Sequence, residues 1–228
     1  LFAQVSLMMF TVRIWDLPTR LFHWALVACI VALLITGNVG GDAMAWHFRF
    51  GYAVLTLVFF RLAWGLCGGF WSRWAQLPIS PRHVGAYLKG HSDIRHLAGH
   101  NPLGSLSVMA LLCVLLLQVG TGLVSDDEIS NMGPLSSLVS GTVVTWASSW
   151  HKNVGKLLLI ALIAMHLLAL VWYRFRKHPP LVPAMLHGNK ILPEPVPDSA
   201  DNWKSRVLAL ILLASAALTV AAVVSLGG

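Results

Sequence analysis

Apolar residues along this chain gather into five long runs with few polar interruptions. The runs cover about residues 21–40, 46–68, 102–124, 150–174 and 205–226. A helix of about 20 apolar residues spans the roughly 30 Å hydrocarbon core of a membrane. The pattern therefore predicts five transmembrane helices and an all-α fold. The first run is long enough to remain as a span instead of being cleaved as a signal peptide.

Polar stretches between the runs divide the chain into four parts. We expect an amphipathic lead-in over residues 1–20, a four-helix core over 21–176, a proline-rich linker over 177–204 and the fifth span over 205–228. Within the core, the basic loop 69–101 contains the pair Ser80-Pro81. A serine followed by proline is typical of a helix start, so the sequence predicts a short surface helix over 81–90.

The composition excludes a soluble domain. Hydrophobic residues make up 57% of the 228 residues and charged residues only 11%, about half the charged fraction of ordinary soluble proteins. The net charge of +7 would favour nucleic-acid binding in a soluble protein, but here the basic residues lie mostly between the spans. Such residues determine topology and contact lipid headgroups. We therefore expect a membrane protein that contacts lipid and binds no nucleic acid.

The basic residues also predict how the chain is oriented. Twelve of the sixteen Lys and Arg residues lie in the lead-in, the loop 69–101 and residues 174–206, whereas the loops 41–46 and 125–149 contain none. Loops rich in Lys and Arg stay on the cytoplasmic side of the membrane. With five spans, this rule places the N-terminus in the cytoplasm and the C-terminus in the periplasm of a bacterial inner membrane.

Four histidines lie inside the spans, where an ionisable side chain is costly and usually functional. His151 and His166 share the fourth span, fifteen residues or roughly 22 Å apart. Given the orientation, His23 and His166 lie near the cytoplasmic side, and His47 and His151 lie near the periplasmic side. Two imidazoles facing each other across a bundle are the ligands of six-coordinate b-type haem iron. The positions therefore predict two bis-histidine haem sites, one at each depth.

Three other residues in the spans agree with this prediction. Gly51 and Gly155 each lie four residues after a predicted ligand, on nearly the same helix face, where a flat macrocycle needs a missing side chain. Arg61 lies near the depth of His166, where its guanidinium suits a haem propionate. The alternatives are close helix packing for the two glycines and snorkelling to the lipid interface for Arg61.

Other metal sites are disfavoured. No carboxylate or thiolate lies at either depth to complete a tetrahedral zinc or copper site. Covalent c-type haem is excluded because the chain has no CxxCH motif. His100 precedes the Asn101-Pro102 helix start, where it could approach the inner cofactor or a quinone headgroup. The remaining loop histidines are expected at the surface, namely His83, His91, His96, His178 and His187.

Several segments of the chain resemble one known family. They are V-R-I-W-D-L-P-T-R-L-F-H-W (12–24), F-R-L-A-W-G (60–65), G-H-N-P-L-G (99–104) and G-P-L-S-S-L-V-S (133–140), and in combination they are similar to the bacterial cytochrome b561 family. That family includes the b-type cytochrome subunits of membrane nickel–iron hydrogenases. The resemblance covers about residues 12–190 and leaves the fifth span outside the shared core. It implies a four-helix bundle with two haems, whose ligands are His23, His47, His151 and His166.

We therefore expect a di-haem cytochrome b that transfers electrons between the quinone pool and a periplasmic redox partner such as a cytochrome c. Bis-histidine ligation leaves no open iron position, which favours electron transfer over substrate oxidation. The acidic residues Asp126–Glu128 in an outer loop would attract a basic partner, although exposed carboxylates are usually only solvated. Whether the chain works alone or as a homodimer stays open.

Four other functions remain as alternatives. The chain could be the cytochrome b subunit of a hydrogenase-type complex, or it could pass electrons from superoxide or another small donor to quinone. In a different class, the histidines would form the relay of a proton or ion transporter, although the spans lack the Asp and Glu residues that such paths generally use. A purely structural membrane anchor would not need paired histidines.

Overall fold

The computed structural model describes residues 8–175 and 181–227. In chain order the helices are α1 Leu17–Val39, α2 Met44–Cys67, α3 Pro81–Leu88, α4 Ile94–Ala98, α5 Pro102–Leu123, α6 Gly141–Ser149, α7 Lys156–Phe175, α8 Leu181–His187 and α9 Trp203–Ser225. Two short strands, β1 Phe10–Arg13 and β2 Asn189–Leu192, accompany them. Within the described residues, five helical segments are long and apolar enough to cross a membrane, and this confirms the predicted all-α membrane fold.

The spans pack around α2. Helices α1 and α9 lie against α2, α2 contacts α5, and α5 contacts α7. Val54 and Val58 of α2 are buried together with Leu115 of α5 in the shared core. Large apolar side chains on the outside of the bundle, such as Leu168 and Leu210, are exposed. Exposed apolar side chains are what a surface in contact with lipid tails requires.

The fourth span is longer than the apolar run predicted, and it is not a regular α-helix throughout. Helix α6 begins at Gly141, inside the predicted loop 125–149, because Gly141–Ser149 contains no proline or charge that would stop a helix. Between α6 and α7, residues Trp150–Gly155 form a π-helix. Such turns are rare and occur frequently at functional sites. This one contains His151.

A two-stranded sheet covers the end of the bundle at which α1 begins. Strand β1 pairs antiparallel with β2, so that Val12 lies opposite Lys190. Val12, Ile14 and Leu192 are buried beneath the pair. Residues 10–13 of the predicted amphipathic lead-in therefore form a strand, and residues 17–20 already belong to α1. The partner of this strand lies in the distant linker, and no local pattern in the sequence reveals such a pairing.

Asp16 joins this layer to the first two spans. Its buried carboxylate accepts hydrogen bonds from the backbone N–H groups of Thr19 and Gly69, from Nε1 of Trp64 and from Oγ of Ser72. The bond from Thr19 caps the N-terminus of α1. A carboxylate with four donors is fully satisfied, so it can be buried without a paired cation.

The loop between α2 and α5 agrees with the sequence pattern. The predicted surface helix is α3, and the Ser80 side chain caps it by accepting a hydrogen bond from the His83 N–H. Asn101 caps α5 in the same way through the Gly104 N–H. The proline-rich linker contains regular structure, namely helix α8 and strand β2. Residues 176–180, which include His178, lie outside the described residues.

Candidate cofactor sites

The four span histidines fall into two pairs, and each pair lines a separate cavity. His47 of α2 and His151 of the π-helix line a cavity of about 400 Å³, which we call the His47 site. His23 of α1 and His166 of α7 line a cavity of about 1070 Å³, which we call the His23 site. The structure thus brings together the same pairs that their depths in the membrane predicted.

In the His47 site the two imidazole rings face each other across a gap. The ring centroids of His47 and His151 are 6.1 Å apart, and the ring planes are nearly perpendicular, at 84°. A metal bound to one nitrogen of each ring at about 2.0 Å would place the centroids of opposed imidazoles about 6 Å apart. The two rings therefore already have the separation that an iron between them requires.

Backbone carbonyls fix the protonation of both rings. Nδ1 of His47 lies 3.1 Å from the carbonyl oxygen of Leu33. Nδ1 of His151 lies 2.8 Å from the carbonyl oxygen of Gln118. A carbonyl oxygen can only accept, so each Nδ1 carries the proton and donates it. The other ring nitrogen, Nε2, is then unprotonated, which is the form that binds a metal.

Each ring also lies against a glycine of the neighbouring helix. A Cβ at Gly37 of α1 would lie 3.0 Å from Cε1 of His47, and a Cβ at Gly122 of α5 would lie 2.8 Å from Cε1 of His151. Each glycine comes four residues after the carbonyl that its histidine binds, so the two halves of the site are built alike. Neither glycine stood out in the sequence. The signal that the sequence did contain is a repeated Thr-Gly pair, at residues 36–37 and 121–122, in which the glycine makes the contact.

The two glycines that the sequence did single out differ from each other. A Cβ at Gly51 would meet nothing within 4 Å, and Gly51 borders the cavity of the His47 site. At Gly155, in contrast, a Cβ would overlap the Gln118 Oε1 and lie 2.6 Å from the Trp150 Nε1. Gly155 therefore makes room for Gln118, whose Nε2 donates a 2.9 Å hydrogen bond to the carbonyl of His151. The structure gives Gly155 a packing role beside the site and no place in the cavity wall.

Charged residues border the His47 site as well. Lys152 and Lys156 of the fourth span line the cavity together with Asp127. The Asp127 carboxylate accepts hydrogen bonds from the side chain and N–H of Asn131 and from two further N–H groups, and these bonds hold the pKa of Asp127 well below its usual range. Asp127 is thus ionised and orders its own loop. This local role was not apparent when Asp126–Glu128 was interpreted as an acidic patch.

The His23 site is larger and mostly apolar. Its walls come from α1, α5 and α7, and they include Leu106 and Met165. Nδ1 of His23 is buried and has no hydrogen-bond partner among the described residues. A buried polar atom without a partner is unusual and indicates a group that binds there.

One edge of the His23 site carries a polar cluster. The hydroxyls of Tyr87 and Tyr173 are hydrogen-bonded to each other, and Asn101 donates to the Tyr173 hydroxyl. The His96 ring packs edge-on against Tyr87, with ring centroids 5.6 Å apart. All four residues line the cavity. His96 was expected at the surface, but it is half-buried because it packs on Tyr87.

Arg61 is buried near this site and does not snorkel. Its guanidinium lies over the Trp74 ring, with Cζ 4.1 Å from the ring centroid, and its Nη1 has no hydrogen-bond partner among the described residues. Arg61 lies behind the cavity wall, whereas His100 lies in it, as does Lys190. Burial, together with the nearby charges of Arg61 and Lys190, lowers the pKa of His100 to about 3.

These residues fit a b-type haem. Across residues 8–175 and 181–227, no group of three or more His, Cys, Asp or Glu residues could hold a metal ion. The transmembrane helices supply two imidazoles to each cavity, and His96 and His100 also line the His23 site from the residues before α5. Two opposed imidazoles suit an iron whose four remaining positions are filled by a macrocycle, and each pair faces a cavity that gives the macrocycle room.

Comparisons with known proteins agree with this chemistry. A family model described as prokaryotic cytochrome b561 matches residues 14–188. The chain is 23% identical over 216 residues to a probable Ni/Fe-hydrogenase B-type cytochrome subunit of Bradyrhizobium diazoefficiens, covering 79% of this chain and 86% of that protein. Subunits of the same name from Azotobacter chroococcum and Azotobacter vinelandii are each 23% identical over 222 residues, covering 82% of this chain and 91% of theirs. No solved structure matches the chain at comparable significance.

Proposed function

Because this chain belongs to the prokaryotic cytochrome b561 family, it transfers electrons across a membrane with b-type haem, and we propose that it holds two haems. His47 and His151 would hold one haem, and His23 and His166 the other. Each haem supplies an iron that accepts and releases one electron. The observation that carries the proposal is the pair of rings in the His47 site, 6.1 Å apart with both Nδ1 protons donated to carbonyls.

The protein's own contribution is to position and shield the two sites. The fourth span supplies one ligand to each site, so a single helix connects the two ends of the electron path. The carbonyls of Leu33 and Gln118 hold the rings of the His47 site in one orientation. The apolar walls of the His23 site exclude water, and both effects tune the reduction potential of a bound haem.

A visible spectrum of the purified protein tests this proposal. We expect the sharp reduced-state bands of low-spin haem and two haems per chain. His151→Ala and His23→Ala should each remove one haem, whereas the control His83→Ala, at an exposed position of α3, should remove none. A featureless spectrum after expression with added haem would refute the proposal, as would full haem content in both ligand variants.

We also propose that the His23 site lies toward the cytoplasm and the His47 site toward the periplasm of a bacterial inner membrane. The distribution of Lys and Arg over the loops supports this orientation. A reporter enzyme that is active only in the periplasm tests it. Inserted after Ser130 the reporter should be active, and inserted after Gly90 it should be inactive. The opposite result would invert the proposed direction of the chain.

The His23 site is the better candidate for binding a quinone. Its volume of about 1070 Å³ exceeds the 400 Å³ of the other cavity, which leaves space beside a haem. A quinone has two carbonyl acceptors on its headgroup and an apolar tail. The hydroxyl of Tyr87 at one edge and the apolar side chains of α5 and α7 match that chemistry.

The variant Tyr87→Phe tests the quinone site. It should slow the reduction of haem by a quinol without changing haem content or spectrum. Tyr52→Phe serves as the matched control, because Tyr52 lines the other cavity. An unchanged rate of quinol-dependent reduction in Tyr87→Phe would exclude this edge of the cavity.

A periplasmic redox protein such as a basic cytochrome c is the partner that the outer loop favours. Asp126, Asp127 and Glu128 lie beside the His47 site, and the next residue, Ile129, is 89% exposed. An acidic rim with an exposed apolar side chain suits a basic carrier that binds briefly. Glu128→Lys should therefore slow electron transfer to a basic cytochrome c at low salt more than Asp42→Lys in the other outer loop. Equal rates would argue against this loop.

A second candidate function is that of the cytochrome b subunit in a hydrogenase-type complex. It is favoured by the relatives described above, which are named as Ni/Fe-hydrogenase B-type cytochrome subunits. In that case hydrogen should reduce the haems in membranes that contain the matching hydrogenase, and the two proteins should co-purify. Reduction by quinol alone, with no hydrogenase bound, would favour the first function.

A further inference from the structure

Lys190 is a buried cation that comes from outside the transmembrane core. It lies on β2 in the linker, yet its side chain is only 4% exposed and lines the His23 site. Its Nζ donates hydrogen bonds of 2.9 and 2.7 Å to the carbonyl oxygens of Leu97 and Ala98 at the end of α4. An ammonium group has three N–H donors, so one donor remains beyond these two carbonyls.

The neighbourhood of Lys190 contains a second buried cation and no available carboxylate among the described residues. Arg61 is 4% exposed and keeps an unpartnered Nη1. The acid that acts on Arg61 is Asp16, but its two carboxylate oxygens already accept four hydrogen bonds. In the part of the chain that the structure describes, salt bridges form around Asp201 and include neither Arg61 nor Lys190. Two buried cations without an anion are costly unless a ligand brings one.

We propose that Lys190 and Arg61 form the anion site for the propionate carboxylates of the haem in the His23 site. This inference rests on the proposed function, because it assigns residues to the haem of that site. Lys190 lies in the cavity wall and can contact a carboxylate there, while Arg61 adds positive charge from behind the wall. The proposal makes the linker strand part of the cofactor site, although the strand belongs to none of the four helices of the core.

The phosphate of a lipid or of the buffer offers the same negative charge as a propionate. The two sources are separated by replacing haem with haem dimethyl ester, in which both propionates are neutral. A contact between Lys190 and a propionate disappears in the ester-loaded protein, whereas a contact with phosphate does not.

The experiment compares the full-length protein and Lys190→Met by titrating each with haem and with haem dimethyl ester and measuring the affinity of both sites. With ordinary haem, Lys190→Met should weaken binding at the His23 site by about tenfold, because a propionate loses its cationic partner. Binding at the His47 site should not change. With the ester, the substitution should weaken binding at neither site. Lys204→Met, an exposed lysine near the start of α9, is the control and should match the wild type.

Two results would overturn the proposal. One is an unchanged affinity of the His23 site for haem in Lys190→Met, and the other is a loss of affinity of equal size for haem and for its ester. If Lys190→Met loses both haems because the strand pair fails to fold, Lys190→Gln replaces it, since the amide can still donate to the carbonyls of Leu97 and Ala98. Failure of the proposed function itself looks different, because the wild type would then bind no low-spin haem.

Discussion

The ring of His151 packs so closely on Gly122 that a Cβ at this glycine would lie 2.8 Å from Cε1 of the ring. The carbonyl that accepts the Nδ1 proton belongs to Gln118, one helical turn earlier in α5. A single turn of α5 therefore sets both the position and the protonation of the ring. His47 repeats the relationship with Gly37 and Leu33 of α1.

We predict that Gly122→Ala displaces His151 and removes the haem of the His47 site. The added methyl group would lie closer to the ring than van der Waals contact allows, and helix backbone cannot yield easily. The haem-to-protein ratio should fall by about half under the two-haem proposal. Gly120→Ala is the control, since a Cβ at Gly120 would meet nothing within 4 Å. Equal haem loss in both variants would contradict this explanation.

Gly37→Ala should act in the same direction but less strongly. Its Cβ would lie 3.0 Å from Cε1 of His47, a distance that a small rotation of the ring can relieve. We expect partial haem occupancy and a broadened reduced-state band. A loss as complete as in Gly122→Ala would contradict this expectation, because it would show that the two halves of the site tolerate an added methyl group equally badly.

Gly51→Ala and Gly155→Ala should have different effects, although the sequence predicted for both glycines the same role of making space for a macrocycle. Gly155→Ala forces Gln118 out of its position, so the unfolding free energy of the haem-free protein should fall by about 1–3 kcal/mol. Gly51→Ala should raise that stability by up to about 1 kcal/mol, because alanine is the better helix former and nothing lies within 4 Å of its Cβ. It should lower the affinity for haem, because its methyl group would enter the open cavity. Thermal unfolding with and without haem measures both effects, and a destabilised haem-free Gly51→Ala protein would contradict them.

Asp16→Ala should destabilise the whole end of the bundle at which α1 begins. The substitution leaves the buried N–H groups of Thr19 and Gly69 without an acceptor and removes the cap of α1. Trp64 Nε1 and Ser72 Oγ then keep only Oγ1 of Thr19 as a partner, and the total cost is about 3 kcal/mol or more. Chemical unfolding in detergent measures the loss. Asp42→Ala, at an exposed position between α1 and α2, should change the unfolding free energy by less than about 0.5 kcal/mol.

The stability of the haem-free protein should rise with pH through the titration of Lys190. Burial lowers the pKa of Lys190 from 10.5 to about 8 in the folded chain. Between these values the unfolded chain binds the proton and the folded chain does not, so rising pH favours folding. The unfolding free energy of the wild type, relative to that of Lys190→Met, should therefore increase as the pH rises from 8 to 10.5. A constant difference over this window would show that Lys190 keeps its proton when buried.

The sequence revealed the pairing of the span histidines because depth in a membrane follows directly from position along a span. His47 and His151 start their spans on the same side, and His23 and His166 lie together at the other side. The supports of the rings could not be predicted in this way. Gly37 and Gly122 act on residues of other helices, and their meaning depends on which helices pack together.

The same reason explains the features that the sequence did not show. Lys190 looked like one more basic residue of a loop, because its burial depends on the pairing of β2 with β1. The apolar run predicted a span that starts at Trp150, although α6 already begins at Gly141. Local composition determines where a span can lie, whereas long-range contacts determine where its helix begins and what covers its ends.

The π-helix Trp150–Gly155 has a consequence for how the two sites can change. A π-turn holds more residues per turn than an α-turn, so it shifts the rotational phase of the helix before it relative to the helix after it. His151 lies within this phase shift, and His166 lies beyond it in α7. A single-residue deletion within 152–155 would rotate His151 about the helix axis relative to His166. The orientation of one histidine can thus evolve without disturbing the other, although a single span carries both.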